Sequence, residues 1–200
     1  LLESELFGHV KGSFSGAIAT KKGLFEVAHQ SSLMLDEGAN LSQETQGELL
    51  RVLETRRVRK VGDTAEHEVN IRLIATTNRS LVEMVKVGAF RADLYYRLNV
   101  VPIALPPLRE RGSDITLLAE AFLQQFSRQM CVVARGFSDE ALRQMEVYAW
   151  PGNVRELRNI VERLAVLYGG TRVELSHLPP EIRDGLVIRR HPVEQPHKPD

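Results

Sequence analysis

The chain has 200 residues, 26 basic and 26 acidic, so its formal charge is zero and no global field draws it to nucleic acid or to an anionic membrane. That length holds one large domain or two small ones. The lone Cys131 excludes a disulfide framework and fits a reducing compartment, and no apolar run approaches the roughly 18 residues of a membrane span, so the expectation is a soluble, cytoplasmic protein.

The chain opens on Leu1, without an initiator Met and inside what reads as a helix, which predicts a piece of a longer protein. Two amphipathic stretches, Glu3 to His9 and Gly23 to Ala28, bracket the hexapeptide Gly12-Ser13-Phe14-Ser15-Gly16-Ala17 like the halves of an interrupted helix. Exposing a Phe forfeits roughly 1.5–3 kcal/mol of burial, so a ring on a glycine-flexed tip points to a partner that covers it. The alternative is a hairpin turn whose Phe folds back into the core. Leu33-Met34-Leu35 reads as a strand ending in Asp36-Glu37. Gln43 to Thr55 carries Leu49, Leu50 and Leu53 at helical spacing, and Val58 to Val61 reads as a short edge strand. Val69 to Ala75 is a second strand, ending in Thr76-Thr77-Asn78, and Val100 to Leu105 a third, stopped by Pro106-Pro107. This alternation predicts an α/β layer with a parallel sheet, whose ligand crevice lies at the carboxyl ends of the strands.

From Asp114, a candidate N-cap, the pattern is entirely helical. Ile115, Leu118, Phe122 and Phe126 make one apolar stripe. Ser138 caps a second helix with Leu142 and Met145 on its buried side. A third helix follows Trp150-Pro151-Gly152, with Val154, Leu157, Val161 and Leu164 as its core face and Gly169-Gly170 as its end. The domains predicted are an α/β unit over 1–113, a small helical lid over 114–182, and a linker or tail over 183–200 with Pro192, Pro196 and Pro199. Pro106 to Arg111 is read as the connection between the first two.

Polar groups at strand and helix ends are the candidates for chemistry. Asp36-Glu37 follows an apolar strand; the plain alternative to a chemical role is a solvated acidic pair capping the next helix. Thr77-Asn78 ends the second strand, and the plain alternative for Asn78 is an Asn closing a turn. Arg91 and Arg97 lie in Phe90-Arg91-Ala92-Asp93-Leu94-Tyr95-Tyr96-Arg97-Leu98-Asn99, and on one straight helix they would differ by about 240° in direction. The plain alternative there is Arg97 pairing back to Asp93. Arg155 falls in the first turn of its helix, where the macrodipole disfavours a cation. Either Glu156 screens it or a bound phosphate does. His9, His29, His67, His177, His191 and His197 show no metal-ligand spacing.

In their order and spacing, Gly12 to Ala17, Asp36-Glu37, Thr77-Asn78, Phe90 to Asn99 and Trp150 to Leu157 resemble the central AAA+ domain of bacterial sigma-54-dependent transcription activators, the enhancer-binding proteins. The resemblance runs from residue 1 to about 182. It implies a partial P-loop-type parallel sheet followed by the helical lid, with ATP and Mg2+ as cofactors. Asp36 would hold the metal shell in a Walker B role and Glu37 would polarise the attacking water. Asn78 would act as sensor I and Arg155 as sensor II at the nucleotide. Arg91 and Arg97 would act across a subunit boundary, one reaching phosphate and the other fixing the interface. Gly12, Ser13, Phe14, Ser15, Gly16 and Ala17 would meet sigma-54, in a homo-oligomeric, hexameric ring that opens the closed complex of the sigma-54 RNA polymerase holoenzyme.

Departures from the family pattern are Ser13 for its usual Ala, Ser15 for its usual Thr, and Gly38-Ala39-Asn40-Leu41, where a bulky apolar residue and then a Gly would follow the acidic pair. Asn40 is placed to hydrogen-bond Glu37. No Gly-x-x-x-x-Gly-Lys-[Ser/Thr] loop occurs, and no Gly is followed by Lys. Truncation is the expected reason, and the chain by itself is expected to hydrolyse ATP negligibly. DNA binding would belong to a C-terminal helix-turn-helix domain that these residues do not contain. Two alternatives are an interaction module that does not hydrolyse nucleotide and another AAA+ machine, such as a clamp loader or unfoldase.

Overall fold

The computed structural model describes residues 2–185; of the expected tail over 183–200, residues 186–200 lie outside the described residues. The chain divides into two compact units, the first ending at Ile103 and the second beginning at Ala104. The first is α/β with a parallel strand pair and the second is helical. Among the described residues no helix is long and apolar enough to cross a membrane.

In the first unit, α1 (Leu2–Phe7) leads into β1 (Gly8–His9), which pairs antiparallel with β2 (Lys21–Lys22) ahead of α2 (Leu24–Val27). The hexapeptide therefore tops a narrow ribbon flanked by two short helices. Glycine is required at the ribbon's base. A Cβ on Gly23 would lie 2.2 Å from the Phe7 carbonyl carbon, and one on Gly8 would lie 2.6 Å from the Gly23 nitrogen. That close approach lets the Phe7 and Phe25 rings stack at 5.6 Å in the core.

Strand β3 (Ser31–Leu35) sends Leu33 and Leu35 inward and leaves Met34 outside, the period of two of a strand. Helix α3 (Gln43–Thr55) starts where the Ser42 hydroxyl accepts the Thr45 N–H at 3.1 Å, and it stops at Arg56 in the left-handed region. Leu49 and Val52 form its buried face, with Leu50 and Leu53 half-buried beside them. The edge strand expected at Val58 is half of a hairpin, β4 (Arg57–Arg59) with β5 (Glu66–Glu68). Strand β6 (Ile71–Ala75) then returns parallel to β3, in register from Ser31 opposite Ile71 to Leu35 opposite Ala75. Helices α4 (Leu81–Lys86) and α5 (Ala92–Leu98) pack inward through Met84 and Leu94.

Three expectations are corrected. Val100 to Leu105 is not a strand: it has no ladder partner among the described residues, and Val100, Val101, Ile103 and Leu105 are exposed. Apolar β-branched residues give a segment strand propensity, but a ladder needs a neighbour. Arg91 is not inside a helix with Arg97; it is the extended N-cap of α5. Asp114 is the first helical residue, not the cap, and it pairs with Arg111 at 3.1 Å.

The second unit begins with a 3-10 turn at Leu108–Glu110, followed by α6 (Asp114–Gln129), α7 (Asp139–Val147), α8 (Asn153–Tyr168), a second 3-10 turn and α9 (Pro180–Arg183). Leu108 belongs to this unit's core with Ile115, Phe126, Met145, Trp150 and Leu157. The buried stripe of α6 is Ile115, Ala119, Leu123 and Phe126, rotated slightly so that Leu118 and Phe122 are half-buried. Ser138 caps α7 by accepting the Ala141 N–H. Trp150 is fully buried, and its indole N–H donates to the Met145 carbonyl at 2.7 Å, so the largest core residue leaves no orphan donor.

The ribbon base gives a direct test. Gly23 has an ordinary φ of −82°, so Gly23→Ala fails by collision alone and is expected to cost about 3 kcal/mol. Gly12 has φ +83° with nothing within 4 Å, so Gly12→Ala is expected to cost only about 1 kcal/mol, from strain. Urea denaturation followed by circular dichroism separates the two, and equal losses would mean that the base is not close-packed.

Candidate functional site

Because β3 and β6 run parallel and in register, their carboxyl ends finish side by side, Leu35 opposite Ala75, and the next residues of each strand meet. Thr76 joins them. Its N–H donates to the Leu35 carbonyl at 2.9 Å, its hydroxyl donates to Asp36 Oδ1 and accepts the Glu37 N–H at 3.3 Å, and its carbonyl accepts the Gly38 N–H at 3.0 Å. Glu37 sits in the left-handed region (φ 51°, ψ 43°), an uncommon conformation for a residue with a side chain. The 3-10 turn Gly38–Asn40 brings Asn40 back, so that its side-chain N–H donates to Glu37 Oε2 at 2.7 Å and its backbone N–H to the Glu37 carbonyl at 2.9 Å. Asp36 and Glu37 are both exposed. Two carboxylates are thus fixed at a strand end and face solvent, the arrangement a cation and a water molecule need. Asn78 is exposed on the turn after β6, and no side-chain hydrogen bond holds it among the described residues; Thr77 closes that turn by accepting the Arg79 N–H at 3.0 Å.

The two arginines point to different partners. Arg91 grips Asp93 with two hydrogen bonds, Nε to Oδ1 at 3.0 Å and Nη2 to Oδ2 at 2.7 Å. These bonds hold the Asp93 carboxyl below its usual range and push the guanidinium up. Arg97 instead donates to the Leu53 carbonyl at 2.9 Å, so the expected alternative of an Arg97–Asp93 pair is not formed. Both side chains are exposed, and the carbonyl that Arg97 meets leaves its charge without a counter-charge.

The hexapeptide folds onto its own ribbon. Gly12 N–H donates to the Ala17 carbonyl at 2.8 Å, and Ala17 N–H to the Phe14 carbonyl at 3.0 Å. Gly12 (φ 83°) and Gly16 (φ 112°) supply the left-handed turns, and Ala17 is buried. Ser13 lies against Gly62, where a Cβ would come within 2.6 Å of the Ser13 Cβ. The Phe14 ring stands edge-on to His9 at 5.1 Å, and His9 Nδ1 lies 2.7 Å from the buried Ser4 hydroxyl. Phe14 is therefore neither core nor free tip: it is 38% exposed, and Ser15 and Gly16 beside it are exposed. Behind the ribbon, Lys60 and Glu26 form a largely buried ion pair at 3.0 Å.

In the second unit, Arg155 is exposed in the first turn of α8 and has no ion pair among the described residues. Glu156 does not screen it. That carboxylate turns to the helix start, accepting the Gly152 N–H at 2.7 Å and the Tyr148 hydroxyl at 3.3 Å. Burial, with Glu156 beside it, pushes the Tyr148 phenol up. Arg155 is thus left without an ion pair, at a helix start whose positive end the Glu156 carboxylate already meets.

Sequence reasoning picked out the acidic pair, the Asn40 contact and the place of Arg155 in the first turn of its helix. It missed Thr76 as a bridge, since a Thr at a strand end carries no signal of its own, and His9 as the seat of Phe14. It also missed the Gly8–Gly23 crossing, for which the two glycines flanking the ribbon were the available signal.

The sequence matches the family model described as Sigma-54 interaction domain over residues 1–104, and that described as AAA+ ATPase lid domain over residues 109–194. It is 50% identical over 187 residues to nitrogen fixation protein VnfA of Azotobacter vinelandii, covering 94% of this chain and 36% of that protein. It is 47% identical over 183 residues to regulatory protein AtoC of Escherichia coli, covering 92% of this chain and 40% of that protein. Crystal structures of NtrX from Brucella abortus, in complex with ADP and with ATP, superpose with a TM-score of 0.83 at 39% identity, covering 96% of this chain and 42% of theirs. The chain thus spans between about a third and two fifths of the length of these relatives.

If His9 seats Phe14, His9→Ala should release the ring and raise the rate of chymotryptic cleavage after Phe14 severalfold, read by mass spectrometry, while the circular dichroism spectrum stays unchanged. An unchanged rate would place the hold on the ring in the loop backbone alone.

Proposed function

The chain belongs to the family of sigma-54 interaction domains, and we propose that it acts as the central motor of a cytoplasmic transcription activator, using ATP hydrolysis in a hexameric ring of like subunits to remodel the sigma-54 RNA polymerase holoenzyme. One observation carries this reading: the first unit combines an acid pair fixed at the carboxyl ends of parallel strands with a Phe-tipped ribbon loop. The NtrX chain, solved with ADP and with ATP, supports a nucleotide at this fold.

The donor set fits magnesium and a triphosphate. Thr76 engages only Oδ1 of Asp36, which leaves Oδ2 for a hard cation that takes oxygen ligands. The chemistry that ATP and Mg2+ supply is phosphoryl transfer to water. Glu37, aimed by Asn40, would accept a proton from that water, and Asn78 would orient it. Arg155 offers the lid an uncompensated cation for phosphate. Arg91 and Arg97 would face the neighbouring subunit's nucleotide, Arg97 with its charge already unpaired and Arg91 once it leaves Asp93. Phe14, Ser15 and the glycines would present the loop to sigma-54, with Ser15 keeping the hydroxyl of the family's Thr but not its methyl. DNA contact would belong to sequence outside these residues.

A second reading is an interaction module that does not hydrolyse nucleotide. The test uses the full-length protein. Phe14→Ala is expected to abolish co-purification with sigma-54 in the presence of a transition-state nucleotide analogue while leaving phosphate release within about twofold. Glu37→Ala is expected to retain nucleotide binding and lose turnover by about 100-fold or more. Full-length protein that releases no phosphate would favour the second reading. Loss of hydrolysis in Phe14→Ala as severe as in Glu37→Ala would make Phe14 a structural residue and sink the loop's role.

A further inference from the structure

Gln46 lies on α3 and is fully buried, a position where a polar side chain is costly unless every group is paired. Its carboxamide is paired completely. Nε2 donates to the Leu41 carbonyl at 2.9 Å and to the Ala89 carbonyl at 3.2 Å, and Oε1 accepts the Arg91 N–H at 2.9 Å. The partners fix which way the amide faces, since two acceptors and one donor are met only by an NH2 and a carbonyl. Leu41 follows Asn40, which holds Glu37; Ala89 and Arg91 lead into α5. The Arg91 side chain passes beside Gly47, its Nη1 3.9 Å from where a Cβ there would stand, an ordinary van der Waals distance.

We infer that Gln46 is a positioning residue: from α3 it fixes the backbone from which Arg91 extends to the next subunit. The inference rests on the proposed role of Arg91 across the boundary. Asp93 sets where the guanidinium rests, but it lies in the first turn of the helix that Arg91 caps and cannot place that helix against α3. Gln46 does so from a different element. Without it, three backbone groups lose their partners, and the start of α5 loses its only side-chain hydrogen bond to α3 among the described residues.

The test is subunit mixing in the full-length protein. Gln46→Met, close in shape but unable to pair these groups, is expected to lower ATP turnover of uniform rings about tenfold or more, the scale of a misplaced catalytic group. Mixed with Glu37→Ala subunits it should regain activity, because some junctions then join an intact acid pair to a correctly held Arg91. Arg91→Ala, mixed in the same way, is the reference. Recovery in both mixtures supports the inference. Recovery with Arg91→Ala but not with Gln46→Met, in rings shown to be mixed, overturns the inference and leaves the trans-arginine reading standing. No recovery with Arg91→Ala overturns that reading, and the inference with it. If Gln46→Met does not fold, Gln46→Ala, which also pairs none of these groups, takes its place; if neither folds, Gln46 is structural only and the inference is wrong.

Discussion

The register of β3 against β6 is the constraint on which the first unit depends. With Leu35 opposite Ala75, the hydroxyl of Thr76 falls between Asp36 and the Glu37 N–H. A slip of one residue would turn Leu33 and Leu35 from the core to the outside, so burial holds the register, and the register in turn holds the acid pair. The left-handed conformation of Glu37 belongs to the same arrangement. Strain of about 1–3 kcal/mol at such a residue persists only where surrounding bonds over-determine it, and here Thr76 and Asn40 do so from two sides.

The ribbon follows a different logic, because strands of two residues contribute few hydrogen bonds. Its stability comes from below, where Gly8 and Gly23 let two backbones touch and the Phe7–Phe25 stack closes underneath. The Val10 and Val61 amides add a lateral tie, donating to Val61 and Gly8 at 3.1 and 2.9 Å. A firm base and a lightly held tip are what a loop needs if its ring is to leave one contact for another. His9 offers Phe14 an edge-on contact and no enclosing pocket.

What the sequence made legible were features with local causes. Helix α3 has a serine cap and apolar spacing, and its limits fall where that pattern puts them. The acid pair follows an apolar run, and Ser138 caps a helix with its own hydroxyl. Illegible were features that need a partner from elsewhere in the chain. Val100 to Leu105 has the composition of a strand but no neighbour among the described residues. Arg97 chose the Leu53 carbonyl over the carboxylate one turn away, because Asp93 was already taken by Arg91. Gln46 reads as one more polar residue on an amphipathic helix, and only the return of α5 over α3 reveals that it is buried.

The departures at Gly38 and Ala39 illustrate how a site tolerates an altered sequence. Both residues are buried, and a Cβ on Gly38 would meet Leu35 Cδ2 at 3.3 Å, so the space a larger side chain would claim is filled by the strand's own leucine. Their small size lets the chain close a 3-10 turn immediately after Glu37. That turn carries Asn40 back onto the carboxylate at 2.7 Å. The carboxylate is therefore oriented from within its own turn, by a side chain three residues along, and the geometry of the acid pair does not depend on a bulky neighbour to set it.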